Sequence, residues 1–214
     1  MSKSQLFPTV AQLTATVASK SKLPEFVDLQ GWNSDHKIFD ELVEEIQPKI
    51  IVEVGTWKGR SAWHFAEASQ RFGSEIYCVD TWLGGIDHFL SDKPQDNLHR
   101  DEHGTPQIYE QFLRNFRDHH AAGRIHPVRQ TSVNGARALA SRGLFADLIY
   151  IDGSHEYEDA YADICAYAPL VAPNGRIFGD DYASFPGVQI AVHRYAIEFN
   201  RRVKVVDGNF WILS

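Results

Sequence analysis

Short apolar runs alternate along the chain with segments in which apolar residues recur at helical spacing. The apolar runs predict strands over residues 50–54, 76–79, 125–128, 148–151, 176–178, 203–206 and 210–213. The segments of helical spacing predict helices over residues 35–46, 61–72, 108–119, 133–141, 157–167 and 188–199. Asp207-Gly208 separates the last two runs and is a strong hairpin signal. The pattern predicts an α/β fold with a doubly wound, mostly parallel seven-stranded sheet, to which the C-terminal hairpin adds one antiparallel strand.

Two stretches do not follow this rhythm. Residues 1–34 form an N-terminal arm, and its first 24 residues, rich in Ser, Thr and Ala, are expected to be a helical arm or a frayed end. Residues 83–106 carry glycine, histidine and aspartate with little periodicity. This stretch is longer than an ordinary connection, so it is predicted to be a lid or a substrate-binding insertion. The length of 214 residues is most simply a single domain spanning 1–214.

Composition and charge exclude several classes of function. Hydrophobic residues make up 43% of the chain and charged residues 23%, which is typical of a globular protein. The net charge of -7 argues against a nucleic-acid partner and against an anionic membrane surface. Cys78 and Cys165 lie in separate apolar stretches, as expected for unpaired buried thiols. The N-terminal residues lack the apolar core of a secretory signal, so a cytoplasmic location is expected.

A glycine-containing turn follows the first predicted strand. Gly55 and Gly59 frame this turn, which opens a helix at Arg60-Ser61. In a doubly wound sheet, ligands bind beyond the carboxyl ends of the strands, where strand order reverses. Gly55 permits a tight turn, Gly59 is expected to let the backbone approach a ligand, and the amides that open the helix can meet an anion. Asp80 ends the next strand 25 residues after Gly55 and can accept hydrogen bonds from ribose hydroxyls.

A glycine that is absent from the turn narrows the class of ligand that the turn can bind. The dinucleotide fingerprint Gly-x-Gly-x-x-Gly needs a middle glycine, which is absent here. A nucleoside that carries an amino-acid tail does not need that close approach to a pyrophosphate. Glu53 lies within an apolar strand and requires a cationic or hydrogen-bonding partner. A ligand ammonium group, reached directly or through water, would supply one, and an internal salt bridge is the alternative.

These motifs carry a family resemblance. Glu53-Val54-Gly55 with Gly59, followed by Asp80 and by an acidic end to a third strand, resembles class I S-adenosylmethionine-dependent methyltransferases. The runs YIDGSHEYE (150–158), PLVAPNG (169–175) and GDDY (179–182) are similar to the branch that contains macrocin-type O-methyltransferases and cephalosporin hydroxylase-like proteins. The usual Gly-Gly of that branch is Asn174-Gly175 here. The resemblance covers roughly residues 35–213 and implies a Rossmann-like methyltransferase fold.

The resemblance also implies the cofactor-binding residues. Glu53, Gly55 and Ser61 would surround the methionine moiety of S-adenosylmethionine, and Asp80 would hold the ribose. Thr131-Ser132 occupies the place where relatives hold adenine. Trp82 is expected either to stack on that base or to pack in the core. The full predicted set is Glu53, Gly55, Thr56, Trp57, Gly59, Ser61, Asp80, Thr81, Trp82, Thr131, Ser132 and Asp152.

Three aspartates are predicted to converge at the same crevice. Asp152, Asp180 and Asp181 end or follow neighbouring strands, and converging carboxylates repel one another unless a proton or cation intervenes. Oxygen ligands favour Mg²⁺ or Ca²⁺, and the resembling branch carries magnesium at this constellation. Capping of the following turn is the alternative for Asp180 and Asp181. His155 is either the general base or a structural histidine, and Asp152 is the other candidate base.

The sequence therefore predicts an S-adenosylmethionine-dependent O-methyltransferase, assisted by Mg²⁺, that acts on a small molecule. A metal chelated by two adjacent oxygens favours a vicinal-diol or catechol-like acceptor, such as a sugar or polyphenol hydroxyl. The alternatives are an NAD(P)-dependent oxidoreductase and a non-catalytic cofactor-binding protein. A homo-oligomer stays open, because arms of this kind often cover a neighbouring subunit's site in the resembling family.

Overall fold

The structure is a computed structural model that describes residues 7–17, 23–90 and 98–214. Its seven strands are β1 (Ile50–Val54), β2 (Glu75–Asp80), β3 (Ile125–Arg129), β4 (Ala146–Ile151), β5 (Val171–Gly179), β6 (Val203–Val206) and β7 (Phe210–Leu213). Its helices are α1 (Val10–Val17), α2 (Lys37–Ile46), α3 (Arg60–Ala68), α4 (Ile86–Leu90), α5 (Ile108–Arg117), α6 (Ser132–Ala140), α7 (Tyr157–Tyr167) and α8 (Pro186–Glu198). Short 3₁₀ segments cover Gln70–Phe72 and Ala168–Leu170.

The strands form one sheet in the order β3-β2-β1-β4-β5-β7-β6. Pairing is parallel from β3 across to β5, and β7 runs antiparallel to both β5 and β6. The predicted mostly parallel sheet with a terminal hairpin is therefore confirmed. The chain moves from β1 outward to β3 and then returns to the other side of β1 with β4. This reversal opens a crevice beyond the carboxyl ends of β1 and β4, where doubly wound folds bind ligands.

Helices cover both faces of the sheet. One apolar cluster joins α1, α2, α3 and α5 to the sheet and includes Phe39, Phe65 and Phe112. The second joins α6, α7 and α8 to the opposite face and includes Leu139 and Ile164. Because β1 and β4 are buried on both sides, their residues read as continuous apolar runs rather than as an alternation. None of the described helices is both long enough and apolar enough to cross a membrane.

Several predicted boundaries were wrong. The helix predicted over 61–72 ends at Ala68 and continues as a separate 3₁₀ turn that stops at Gly73, which has φ 67°. The strand predicted over 176–178 begins at Val171. There the pairing register shifts between Ala146 and Leu148, and this irregular stretch accommodates Pro173, which has no amide hydrogen to donate.

The two unpatterned stretches are only partly described. The N-terminal arm contains α1, and the amide of Ala11 donates to the carbonyl of Ala122 at 3.0 Å, which docks the helix on the α5–β3 connection. The predicted insertion contains α4, which the sequence pattern missed, and a bridge between Arg100 and Pro106. Residues 1–6, 18–22 and 91–97 lie outside the described residues.

Candidate functional site

The site begins where β1 and β4 end side by side. Gly55 follows β1 with φ 84°, and a Cβ atom built on it would lie 1.9 Å from the carbonyl oxygen of Asp152. Only glycine fits there, because the backbone that follows β4 occupies the space of a side chain. The turn after β1 and the aspartate after β4 are thus in direct contact. This contact joins the predicted cofactor turn to the predicted acidic cluster.

Gly59 has a role that the sequence did not predict. A Cβ atom at Gly59 would lie 2.5 Å from the ring of Phe116 and 3.0 Å from that of Phe112, both on α5. Its φ of 89° also favours glycine. The close approach that requires glycine here is to α5, and the expectation that the Gly59 backbone also approaches a ligand stays a prediction. Gly59 precedes α3 without a side-chain cap, so the first amides of α3 have no such partner.

Glu53 is fully buried beneath the turn. Its carboxylate accepts hydrogen bonds from the hydroxyl of Thr56, at 2.9 Å, and from that of Ser61. Burial raises the pKa of Glu53 from 4.5 to about 7, and the hydrogen bonds from Ser61 and Thr56 partly oppose that rise. Across the described ranges no cation forms an ion pair with Glu53, so the alternative of an internal salt bridge is wrong.

Asp80 holds two turns together. One carboxylate oxygen accepts from the amide of Trp57, which lies in the turn after β1, at 2.8 Å. The other accepts from the amide of Trp82, just after β2, at 2.7 Å. Burial raises the pKa of Asp80, while these backbone hydrogen bonds lower it. A carboxylate oxygen can accept more than one hydrogen bond, so Asp80 stays the candidate acceptor for a ribose hydroxyl.

The two tryptophans at this end of the sheet differ in exposure. Trp82 has no exposed surface, packs against Tyr109 and Phe112 at centroid distances of 5.0 Å, and donates its indole N–H to the carbonyl of Trp57 at 2.7 Å. Of its two expected roles, the structure shows packing. The expectation that Trp82 stacks on adenine is wrong, because its side chain has no exposed surface. Trp57 is half-buried and stacks on His88 at 4.3 Å. Its indole nitrogen has no hydrogen-bond partner among the described residues.

The turn after β3 is tied to the helix that follows β4. Ser132 begins α6, and its hydroxyl donates to the carboxylate of Asp163 on α7. Tyr167, one turn further along α7, donates its hydroxyl to the carbonyl of Ser132 at 2.8 Å. Thr131 is exposed and makes no capping hydrogen bond. Thr81 lies on the facing side of this crevice, after β2, where its hydroxyl accepts from the amide of Leu83 at 3.2 Å.

The acidic cluster lies beyond β4 and β5. Asp180 is almost completely buried, and its side chain accepts from the amides of Asn33, at 3.2 Å, and Asn209, and from its neighbour's backbone N–H at 2.7 Å. Asp152 accepts from the hydroxyl of Tyr150 at 3.0 Å. Burial, followed by the charges of Asp181 and Asp180, raises the pKa of Asp152 well above its ordinary value. Burial likewise raises the pKa of Asp180.

The three aspartates are close enough to repel but do not form a compact ligand set. In the parts of the chain that the structure describes, only Glu67, His119 and His120 bring three potential metal-binding atoms within 4.8 Å of one another. The three aspartates therefore lie close enough for their charges to interact, as predicted. Their oxygen atoms do not come within 4.8 Å of one another as a set of three, so they do not converge on one spot. Each carboxylate contacts its own partners, which are Tyr150 for Asp152, Asn33 and Asn209 for Asp180, and His155 for Asp181.

Hydrogen bonding already satisfies the compact Glu67 group. Each histidine lies 2.8 Å from the same oxygen of Glu67 through its Nε2 atom. Nδ1 of His119 accepts from the amide of Ala121 at 3.1 Å, so in the neutral ring the proton is on Nε2. A metal at that Nε2 would require the opposite tautomer. The group therefore reads as a histidine–carboxylate hydrogen-bond cluster.

His155 is held at the edge of the acidic cluster. Its Nε2 atom lies 3.0 Å from a carboxylate oxygen of Asp181, and its ring stacks on Phe185 at 3.8 Å. Asp181 has φ 68°, a left-handed conformation that is uncommon outside glycine. Asn33, Trp57 and Trp82 share this conformation, with φ of 52°, 52° and 54°. Such strain often marks functional sites, and four of the eight described non-glycine residues with positive φ lie around this crevice.

The chain matches a family described as "Methyltransferase domain" over residues 52–182, more than half of its length. The match spans the turn at Gly55, Asp80, the turn at Ser132 and the acidic cluster. The chain belongs to the S-adenosylmethionine-dependent methyltransferases. One curated relative, "Uncharacterized protein y4gI" of Sinorhizobium fredii, is 26% identical over 145 residues, which cover 65% of this chain. The chain spans only 14% of the length of that relative.

Solved structures agree on the fold. The O-methyltransferase NovP superposes with a TM-score of 0.64 at 19% identity, covering 85% of this chain and 79% of NovP. The calicheamicin methyltransferase CalS11 gives a TM-score of 0.62 at 19% identity, covering 94% of this chain and 90% of CalS11. A Bacillus cereus O-methyltransferase in complex with SAH gives 0.59 at 15% identity, covering 98% and 93%. At these identities the likeness establishes the methyltransferase fold alone.

The methyltransferase site also contains residues that the sequence pattern did not single out. Asn33 and Asn209 flank Asp180, and Asp163 lies beneath the turn at Ser132. Asp163 left a detectable signal, because it occupies the buried face of α7 with Ile164. The asparagines left none, since each lies in a polar segment far from Asp180 in the sequence.

A strap formed by residues 24–33 contacts the predicted cofactor turn of this methyltransferase at Lys58. Lys58 donates to the carboxylate of Asp28 at 2.5 Å, and the amide of Asp28 donates to the side chain of Asn115 at 2.9 Å. Asn115 in turn donates to the carbonyls of Asp28, at 2.8 Å, and Lys58, at 2.7 Å. A cavity of about 250 Å³ lies between the strap, Trp57 and the start of α5. The predicted arm therefore contributes directly to the site through its last residues.

Proposed function

We propose that this methyltransferase transfers the methyl group of S-adenosylmethionine to a hydroxyl of a small molecule, with Mg²⁺ assistance. The observation that carries the proposal is the contact between Gly55 and the carbonyl of Asp152. It puts a cofactor-type turn and a buried acidic cluster against each other in one crevice. A cofactor held on one side and an acceptor held on the other would meet there.

The cofactor side offers complementary groups for a nucleoside with an amino-acid tail. The first amides of α3, which no side chain caps, suit a carboxylate. Glu53 underlies the turn through Thr56 and Ser61, and its unpaired negative charge suits an ammonium group. Asp80 presents acceptor oxygens for ribose, and Ser132 borders the proposed adenine side. Bound S-adenosylmethionine would supply an electrophilic sulfonium methyl group.

The acidic side fits a hard cation by the chemistry of its donors. Asp152, Asp180 and Asp181 offer only oxygen atoms, which Mg²⁺ prefers. The raised pKa values of Asp152 and Asp180 show that their charges are poorly compensated by the protein alone. A bound cation would lower the pKa of a coordinated acceptor hydroxyl. Asn33 and Asn209 would keep the Asp180 carboxylate in place.

His155 and Asp152 are the two proposed acceptors of the proton from the acceptor hydroxyl. His155 is oriented by Asp181 and by the ring of Phe185, which leaves its position well defined. Asp152 lies beside the predicted cofactor turn, and burial and the neighbouring carboxylates raise its pKa and so make it a stronger base. Substitution separates the two candidates. His155→Gln preserves all three acidic side chains, whereas Asp152→Asn removes the charge of one of them.

The proposed acceptor is a sugar, polyphenol or similar small molecule with adjacent hydroxyls. CalS11 is described as a TDP-rhamnose 3'-O-methyltransferase, and NovP as an O-methyltransferase. A vicinal diol or catechol can offer two oxygens to one cation, which both orients the nucleophile and activates it. The acceptor and partners of the whole protein, like its assembly state, are part of this proposal.

The test combines cofactor binding with transfer from labelled S-adenosylmethionine. Calorimetry with S-adenosylhomocysteine is expected to show binding to the wild type and to Asp181→Asn alike. Transfer to a panel of catechols and sugar diols is expected to fall by about 100-fold or more in Asp181→Asn, in line with loss of metal-assisted activation. Asp118→Asn, which removes an exposed carboxylate at the end of α5, is the matched control.

Three outcomes would contradict the proposal. Absence of S-adenosylhomocysteine binding by the wild type would refute the cofactor assignment. Turnover that EDTA leaves unchanged would refute the role of the metal. Methyl transfer confined to nitrogen, carbon or sulfur acceptors would refute the assignment of a hydroxyl acceptor.

A further inference from the structure

Asp163 is a buried carboxylate that the proposed transfer does not use. It lies on α7 with 3% of its surface exposed, on the same face as the apolar residues Ala160, Ile164 and Tyr167. Within the described ranges Asp163 forms no ion pair, and its carboxylate accepts a hydrogen bond from the hydroxyl of Ser132. Burying a carboxylate with so little compensation costs free energy. Such a residue needs a reason that core packing does not provide.

The contacts of Asp163 join two turns of the crevice. One carboxylate oxygen accepts from the hydroxyl of Ser132, at the start of α6. The other lies 3.0 Å from where a Cβ atom on Gly153 would be, in the turn after β4. The first turn follows β3 and the second follows β4, and these two strands are not neighbours in the sheet. The side chain of Asp163 therefore lies between two turns that the sheet does not pair directly.

Tyr167 reinforces the same arrangement. Its hydroxyl donates to the carbonyl of Ser132 at 2.8 Å and lies 3.0 Å from where a Cβ atom on Gly135 would be. Ser132 is therefore held by α7 through both its side chain and its backbone. Apolar packing between helices tolerates small sliding motions, whereas two hydrogen bonds to one residue fix its position.

We propose that Asp163 is a positioning residue that holds the turn at Ser132 and the turn at Gly153 in the spacing needed for the adenine of S-adenosylmethionine. The inference rests on the proposed cofactor site and deepens it. Asp163 acts through Ser132 and Gly153. One carboxylate oxygen accepts from the hydroxyl of Ser132, and the other packs closely against Gly153, where a Cβ atom would be crowded. Loss of this carboxylate would relax the adenine side and leave the transfer chemistry in place.

Matched variants separate positioning from general stability. Asp163→Asn keeps the shape and removes the charge, and Glu158→Gln removes an exposed carboxylate from the same helix. Ser132→Val removes the hydroxyl, and Ser132→Thr keeps a hydroxyl on a side chain of matching shape. The measurements are the Kd for S-adenosylhomocysteine by calorimetry, and KM for S-adenosylmethionine against kcat. A variant that does not fold is replaced by the serine pair, which leaves α7 intact.

The expected result is a rise of about tenfold or more in Kd and KM for Asp163→Asn and Ser132→Val, with kcat changed by less than about threefold. The hydrogen bond from Ser132 loses its charged acceptor in the first variant and its donor in the second. Ser132→Thr should restore most of the affinity, and Glu158→Gln should match the wild type. Equal affinity in Asp163→Asn and Glu158→Gln overturns this inference alone. A fall confined to kcat also overturns it. A wild type that does not bind S-adenosylhomocysteine overturns the cofactor site and this inference together. If no tested acceptor is methylated, the Kd values for S-adenosylhomocysteine alone decide this inference.

Discussion

Replacing Glu53 with glutamine should remove a pH-dependent cost that the buried carboxylate imposes on the cofactor-free protein. Burial raises the pKa of Glu53 from 4.5 to about 7, and no cation compensates its charge within the described residues. One pKa unit corresponds to about 1.4 kcal/mol, so ionising Glu53 costs the folded state up to about 3 kcal/mol above pH 7. Glutamine keeps the size of the side chain and can still accept hydrogen bonds from Ser61 or Thr56.

The sign follows from where the proton is held. The folded protein keeps the Glu53 proton to higher pH than the unfolded chain, so the wild type loses stability as pH rises from 4.5 to 7. Below pH 4.5 the carboxyl is protonated in both states, and above pH 7 the full cost is present. The difference in unfolding free energy, Glu53→Gln minus wild type, should therefore increase by about 3 kcal/mol between pH 4 and pH 8.

Urea denaturation at pH 4 and pH 8 measures this difference. Urea is uncharged and does not screen electrostatic interactions, and both pH values lie away from the sequence pI of about 5.8. Glu41→Gln, on the exposed side of α2, is the matched control and should show no such dependence. A difference that changes by less than about 0.5 kcal/mol, the size of ordinary surface effects, would refute the reasoning. It would mean that Glu53 is already compensated in the folded protein.

Three further predictions address the turn, the cofactor and the strap. Gly55→Ala should cost more than about 3 kcal/mol, because its Cβ meets the Asp152 carbonyl at 1.9 Å. Gly73→Ala, also at positive φ but with nothing within 4 Å, should cost only about 1 kcal/mol by denaturation, and equal costs would contradict the close-approach argument. Binding of S-adenosylmethionine at pH 6.5 should release protons from the wild type and fewer from Glu53→Gln. Calorimetry in buffers of different ionisation enthalpy measures this proton release. Equal release from both proteins would exclude Glu53 as the group that meets the ammonium. Asn115→Ala removes both hydrogen bonds between Asn115 and Asp28 of the strap and should speed amide exchange in residues 24–33, whereas the exposed Arg117→Ala should not. Unchanged exchange would show that Asn115 does not hold the strap.

The order of strands and helices was readable from the sequence because burial leaves a periodic record. The apolar runs of β1 and β4 and the Asp207-Gly208 turn each report a local preference, and the sheet confirms them. Gly55 and Asp80 were also readable, since both follow strands that end at the same edge of the sheet. The boundaries of α3 and β5 were not, because a 3₁₀ turn and a register shift depend on neighbours elsewhere in the fold.

The sequence could not show what each site residue touches. Gly59 was expected to let the backbone approach a ligand, and the structure shows that it makes room for Phe112 and Phe116 on α5. Trp82 had two expected roles, and only the packing of α5 against β2 decided between them. The hydrogen bonds that define the crevice join residues far apart in the chain, such as Ser132 with Asp163, 31 positions away, and Asn33 with Asp180, 147 positions away.

The sequence by itself determined the sheet, the glycine turn and the set of acidic residues at its edge, because each of these follows from periodicity and from strand ends that share one side. Only the tertiary structure decided that Glu53 lies without a cation, that the Asp152, Asp180 and Asp181 carboxylates contact separate partners, and that Asp163 supports the turn at Ser132. The physical reason is that burial is a property of one position along the chain. Compensation of a buried charge depends on partners that only folding brings within hydrogen-bond distance.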